Sequence, residues 1–199
     1  MSDRELQSIG VGAIGLLGVI GMAVFVLSTT RLNAQSDELA AARYNAENQL
    51  MFPGNADVWV HMGSSLGSDY NDGPFDPANP GTLGVVQMEP EAYRYFLDRG
   101  EYADGTMFLL SFYAAEAESD PQLPGFVQGN LQAREIHVID RDRFAEGRAF
   151  FLFPPTASVE TASTKLPDGS PCVQCHIPEG AYDGTFTQFY PPIRDRVPQ

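Results

Sequence analysis

The chain has 199 residues, and its 12 Lys+Arg stand against 26 Asp+Glu, a formal charge of −14. That balance excludes a nucleic-acid binder, which needs a basic footprint, and 43% apolar content with 11% aromatics is too hydrophobic for a disordered acidic chain. Two cysteines are too few for a disulfide-dense scaffold, so their placement three apart points to cofactor or redox chemistry.

In chain order, residues 9–27 carry no charge, and as a helix they span about 28 Å, close to the hydrocarbon thickness of a bilayer. The competing reading is a secretory signal cleaved near Leu32-Asn33-Ala34. The run exceeds the usual apolar length of about 7–15 residues for such a signal, which favours a retained anchor over residues 1–30. Gly12, Gly15, Gly18 and Gly21 recur every third position, a pattern that lets a second membrane helix approach closely, although glycine is common in such helices anyway. Ser36 can cap a polar helical stalk reaching about Leu50, so that residues 31–50 lead into a domain over 51–199.

Within that domain, residues 58–62 and 82–88 have strand character, and 90–99 reads as a short helix with Pro90 in its first turn and Gly100 after its end. Residues 106–113 form a strongly apolar run read as a buried strand, followed by an acidic loop through Asp120. Residues 131–139 alternate, with Ile136 and Val138 on one side and His137 and Ile139 on the other, and 149–153 is a further strand. A long connection over 154–171 and an extended aromatic segment over 185–190 complete the chain. The fold class is α+β, a mainly antiparallel sheet with peripheral helices, preceded by one N-terminal transmembrane helix.

Cys172-Val173-Gln174-Cys175-His176 is the strongest local signal. It reads as a c-type haem attachment site, in which two thiols form thioethers with the haem vinyl groups and the adjacent imidazole binds the iron. A thioredoxin-type pair belongs near the start of a βα unit, whereas this motif follows a long loop. A zinc site of Cys172, Cys175, His61 and His137 matches no compact zinc spacing. One covalently attached haem c, with His176 as metal ligand, is the expected cofactor. Because c-type haem is assembled outside the bacterial cytoplasm, the domain is expected in the periplasm, held on the inner membrane by a single pass.

Phe52-Pro53, Trp59, Met88-Glu89-Pro90-Glu91-Ala92-Tyr93, Asp104-Gly105-Thr106, Asp140-Arg141-Asp142-Arg143-Phe144, the Cys172 to His176 motif, and Asp183 leading into Phe186-Thr187-Gln188-Phe189-Tyr190-Pro191 occur in that order. In this the chain resembles the cytochrome P-460 domain, a family that includes hydroxylamine-oxidising cytochromes P-460 and gas-binding cytochromes c′-beta. The resemblance covers about residues 51–194 and implies an antiparallel sheet packed against the haem. It also implies that the lysine which crosslinks to the porphyrin in the oxidising branch falls on Leu110 here. The single lysine, Lys165, lies in the loop before Cys172, and no arginine occurs between Pro53 and Pro90, where the oxidising members place one.

If position 110 faces the haem, strand alternation turns Phe108 the same way and Met107 and Leu109 the other. Phe75 is placed in the same pocket by its position in the resemblance. The cofactor-binding set is therefore Cys172, Cys175, His176, Phe108, Leu110 and Phe75, with an apolar distal wall. His61, His137, Met62 and Met88 are candidates for a second iron ligand, each more simply explained as a core or surface residue. The expected function is binding of a diatomic gas, nitric oxide or carbon monoxide, at a five-coordinate haem. The alternatives are oxidation of hydroxylamine or a related nitrogen compound, and an electron-transfer or accessory role in a respiratory or photosynthetic membrane complex. A redox partner protein, the membrane, contacts within a membrane complex and a second copy of the chain are the expected partners, with no nucleic acid.

Overall fold

The computed structural model describes residues 42–68, 74–118 and 124–197. The anchor expected over residues 9–27 lies outside them, and among the described residues no helix is long and apolar enough to cross a membrane. Five antiparallel strands form the main sheet: β2 (Val60–Leu66), β3 (Thr82–Met88), β4 (Thr106–Glu118), β5 (Gly125–Ile139) and β6 (Arg148–Phe153), each paired with its neighbours in chain order. A separate two-stranded sheet pairs β1 (Leu50–Met51) with β7 (Ala162–Ser163) beside β6, where Ser163 Oγ donates to the Leu152 carbonyl at 2.8 Å. Two helices complete the fold, α1 (Pro90–Arg99) and α2 (Pro171–Glu179).

Alternation along the strands builds two separate cores. Met107, Leu109, Ile136, Val138, Ala149, Phe151 and Phe153 face one side and bury Leu50, Phe52, Ala56 and Trp59. Phe108 and Ile139 face the other, where Met62, Met88, Ala92 and Phe96 of α1, Tyr102, Tyr190 and Ile193 gather. At about 25 cal/mol per Å² of apolar surface, the aromatic side chains dominate both clusters.

The strands differ from the sequence expectation in extent. β4 and β5 continue past the apolar run as a ribbon in which Ala115–Glu118 pair with Gly125–Gln128. Residues 115–117 and 125–128 of this ribbon are exposed or half-buried and show no apolar alternation to announce a strand. The stalk helix expected to reach Leu50 is absent from its described part, 42–50. There the chain turns, with the Gln49 amide donating to Asn45 Oδ1 at 2.8 Å and Asn48 at positive φ, chemistry that favours turns over helix. Tyr44 packs edge-on to Phe151, and Leu50 is fully buried, so tertiary packing overrides helix propensity. Residues 185–190 are not extended: Thr187–Phe189 is a 3-10 turn.

Helix α1 begins as the sequence predicts. Glu89 caps it, accepting from the Ala92 amide at 2.8 Å, and Gly100 ends it in the left-handed region. Burial, then the neighbouring Glu91 carboxyl, pushes Glu89 up to about 7. A carboxyl raised on folding stabilises the native state only while protonated. Stability is therefore expected to fall as pH rises from the ordinary carboxylate range through about 7, and Glu89→Gln to flatten that slope in urea unfolding titrations across pH.

Candidate functional site

The strand register lays out the floor of a cavity. One row across the sheet runs Gly63, Val86, Leu110, Glu135, and the next runs Met88, Phe108, His137, Phe150. Above these rows lies a cavity of about 270 Å³, closed by Phe186, Phe189 and Tyr190 from the chain after α2, with Cys175 and His176 in its lining. His176 sits over the β5 and β6 end, 4.8 Å from the Phe150 ring and 5.9 Å from His137, centroid to centroid. Ser64, Ser65 and Gly84 line the β2 and β3 end.

Helix α2 carries the motif. Pro171 occupies its first turn, and positions three and four apart share a helix face, so Cys172, Cys175 and His176 stand together. No disulfide joins the two cysteines, and Cys172 hydrogen-bonds the Glu135 carboxyl. His176 Nδ1 lies 2.8 Å from the Gly184 carbonyl oxygen. A carbonyl only accepts, so Nδ1 carries the proton and Nε2 keeps its lone pair.

That carbonyl is held by a tight turn. Tyr182 and Thr185 form an antiparallel bridge, and the two residues between them, Asp183 and Gly184, have φ of 50 and 68. Two successive residues at positive φ make the primed hairpin turn that Asp-Gly favours. Gly180, at the end of α2, lies so close that a Cβ there would sit 2.6 Å from the Gly184 carbonyl carbon.

The cavity is mainly apolar, and the titrating groups in it tend to be uncharged. Burial lowers His137 well below its ordinary value, with His176 and Arg148 adding to the effect. Burial also lowers His176, against the raising effect of its bond to Gly184. Glu135 is raised by burial, against the lowering effect of Cys172. All three shifts favour the neutral form. Phe108, Leu110 and Val86 line the cavity as expected for an apolar wall, and Glu135, His137 and three serines interrupt that hydrocarbon.

Of the residues singled out from sequence, Cys175, His176, Phe108 and Leu110 line one cavity, and Cys172 reaches its Glu135 wall. Phe75 does not: it is 56% exposed and its ring lies against Gly67, whose φ is +73. Met62 and Met88 are buried in the second core, and His61 is exposed and bonded to Ser64 Oγ at 2.9 Å. Lys165 pairs with Asp168 at 2.9 Å and lines a different cavity beside Val173, Gln174 and Ile177. Glu135 and the Gly184 carbonyl were not singled out. The parity of β5 gave a signal for the first, and the Asp-Gly pair for the second.

The Cytochrome P460 family model matches residues 56–187, from the turn before β2 to the first residue of the 3-10 turn after Gly184. The chain belongs to the cytochrome P460 family. Among curated proteins no sequence matches it. Cytochrome P460 proteins bind haem, and the donor set fits that group. His176 has the tautomer a metal ligand needs, with its second nitrogen fixed by a carbonyl. His137 also lines the cavity, and its Nε2 is buried without a hydrogen-bond partner among the described residues.

The contact between Gly180 and Gly184 gives a test of the support for His176. Gly180→Ala is expected to destabilise the protein by about 1–3 kcal/mol through overpacking, read as a lower thermal midpoint. Gly169→Ala, where a Cβ would meet nothing within 4 Å, is the matched control and should leave that midpoint in place.

Proposed function

We propose that the chain is a membrane-anchored, periplasm-facing c-type haem protein of the cytochrome c′-beta kind, which binds nitric oxide or carbon monoxide. Cys172 and Cys175 hold one haem by thioethers and His176 is its protein ligand. When bound, the haem would supply an iron able to take a small ligand and a reversible one-electron couple.

The observation that carries this reading is the identity of the side chain between Val86 and Glu135 on the cavity floor: it is Leu110, a hydrocarbon, and not an amine. Lys165 is committed to Asp168 in another cavity. The chain's part is to offer a confined space whose titrating groups favour their neutral forms. An anion entering it exchanges water for hydrocarbon, serines and an acid, and an unsatisfied buried polar group costs about 1–3 kcal/mol. A neutral diatomic ligand avoids that cost. The acidic chain suits a basic redox partner.

Glu135 favours a second reading, oxidation of hydroxylamine or a related nitrogen compound, because a carboxyl that burial makes a better proton holder stands on the cavity wall, where it can exchange a proton. Optical spectra of the purified full chain separate the two. The expected outcome is a mass equal to chain plus one haem, a high-spin ferrous spectrum that shifts on adding nitric oxide, and no hydroxylamine turnover. A low-spin spectrum unmoved by nitric oxide overturns the gas-binding reading. Turnover that Glu135→Gln abolishes establishes the second.

A further inference from the structure

We infer that Arg141, on the far side of the Asp183-Gly184 turn from His176, is a positioning residue that sets the donor strength of His176 through Asp183 and the Gly184 carbonyl. The inference rests on the reading of His176 as haem ligand.

Arg141 lies just after β5 and is gripped from several sides. Its backbone amide donates to Asp104 Oδ1 at 2.8 Å, and Nη1 donates to the Tyr102 carbonyl at 3.1 Å and to Asp104 Oδ1 at 3.2 Å. The guanidinium is therefore fixed in direction before it meets Asp183. Nη2 then donates to Asp183 Oδ2 at 2.6 Å, a short charge-assisted bond.

Asp183 is the residue that must hold φ of 50, a backbone region that side-chain-bearing residues enter reluctantly. An Asp tolerates it, and its carboxylate has one strong partner outside the turn. Gly184 follows at φ of 68, and its carbonyl orientation is the product of both residues. Arg148 closes the far side, since a Cβ on Gly184 would lie 2.9 Å from its Nη1. The chain of contacts is thus Arg141 to Asp183, Asp183 to Gly184 through one peptide, and the Gly184 oxygen to His176 Nδ1 at 2.8 Å.

Side chains 43% and 24% exposed make an ion pair that adds little to stability. Its consequence is directional. A well-aimed carbonyl draws the Nδ1 proton and makes Nε2 a stronger donor, whereas a carbonyl free to rotate weakens it. A global stability measurement would miss this effect, and a signature of the iron to histidine bond would not.

The experiment uses the haem-loaded full chain and reads the iron to histidine stretch of the ferrous protein by resonance Raman, together with the midpoint potential. Asp183→Asn and Arg141→Gln are both expected to lower the stretch frequency and raise the potential. Arg94→Gln, which breaks an exposed ion pair with Glu91 on α1 and no contact of the Arg141 to His176 chain, is expected to leave both near wild type. If Asp183→Asn yields no folded haem protein, Arg141→Gln decides alone, because it leaves the turn sequence unchanged. Unchanged stretch and potential in the folded Asp183→Asn and Arg141→Gln variants overturn the inference, as does an equal shift in Arg94→Gln, which would mean general loosening. A wild-type protein with no iron to histidine stretch, or without haem, overturns the ligand reading beneath it as well.

Discussion

One hydrogen bond organises the site: the donation from His176 Nδ1 to the Gly184 carbonyl. It requires α2 and the turn after it to stand almost in contact, which only a glycine at 180 permits. It also requires the turn to expose a carbonyl inward, which Asp183 and Gly184 achieve by both adopting positive φ. Once it is made, the imidazole has one proton and one lone pair in known places. The side chains around it, Phe150, His137 and Phe186, pack against a ring that no longer rotates freely.

The sheet supplies the other half of the arrangement. Because consecutive strands pair as a meander, residues from β2 to β6 align in cross-strand rows, and one face of those rows is apolar core while the other carries the cavity. Placing Glu135 and His137 beside Leu110 and Phe108 is a consequence of register. A slip of one residue would send both polar groups into the first core, where no partner awaits them. The register is thus specified as much by what the cores exclude as by what they contain.

These relations account for what the sequence disclosed and what it withheld. The motif on α2 was legible because its chemistry is local, three side chains on one helix face, and α1 because Pro90 and Gly100 mark its ends. The inward turn of Phe108 and Leu110 follows from alternation once a family resemblance orients one of them. Glu135 was harder. Its neighbour across the sheet depends on pairing between distant strands, and β4 and β5 shift register on both sides of Tyr113. Phe75 failed for a local reason: the left-handed Gly67 lets the aromatic ring fold onto the loop instead of entering the cavity. The segment over 42–50 failed because Tyr44 and Leu50 gain more from packing on the sheet than a short polar helix would gain from its own hydrogen bonds.

The two borders of the main sheet are finished differently. Along β6, Lys165 bridges to Phe151 and the Leu166 amide donates to the Phe150 carbonyl, so a stretch of that outer ladder is already occupied. Along β2, the register breaks between His61 and Gly63, which bends the strand and interrupts its outward row of amides and carbonyls. Neither margin offers a straight, empty template to a neighbouring molecule. The domain is thereby guarded against strand-by-strand aggregation by its own geometry, without relying on its negative charge to keep copies apart.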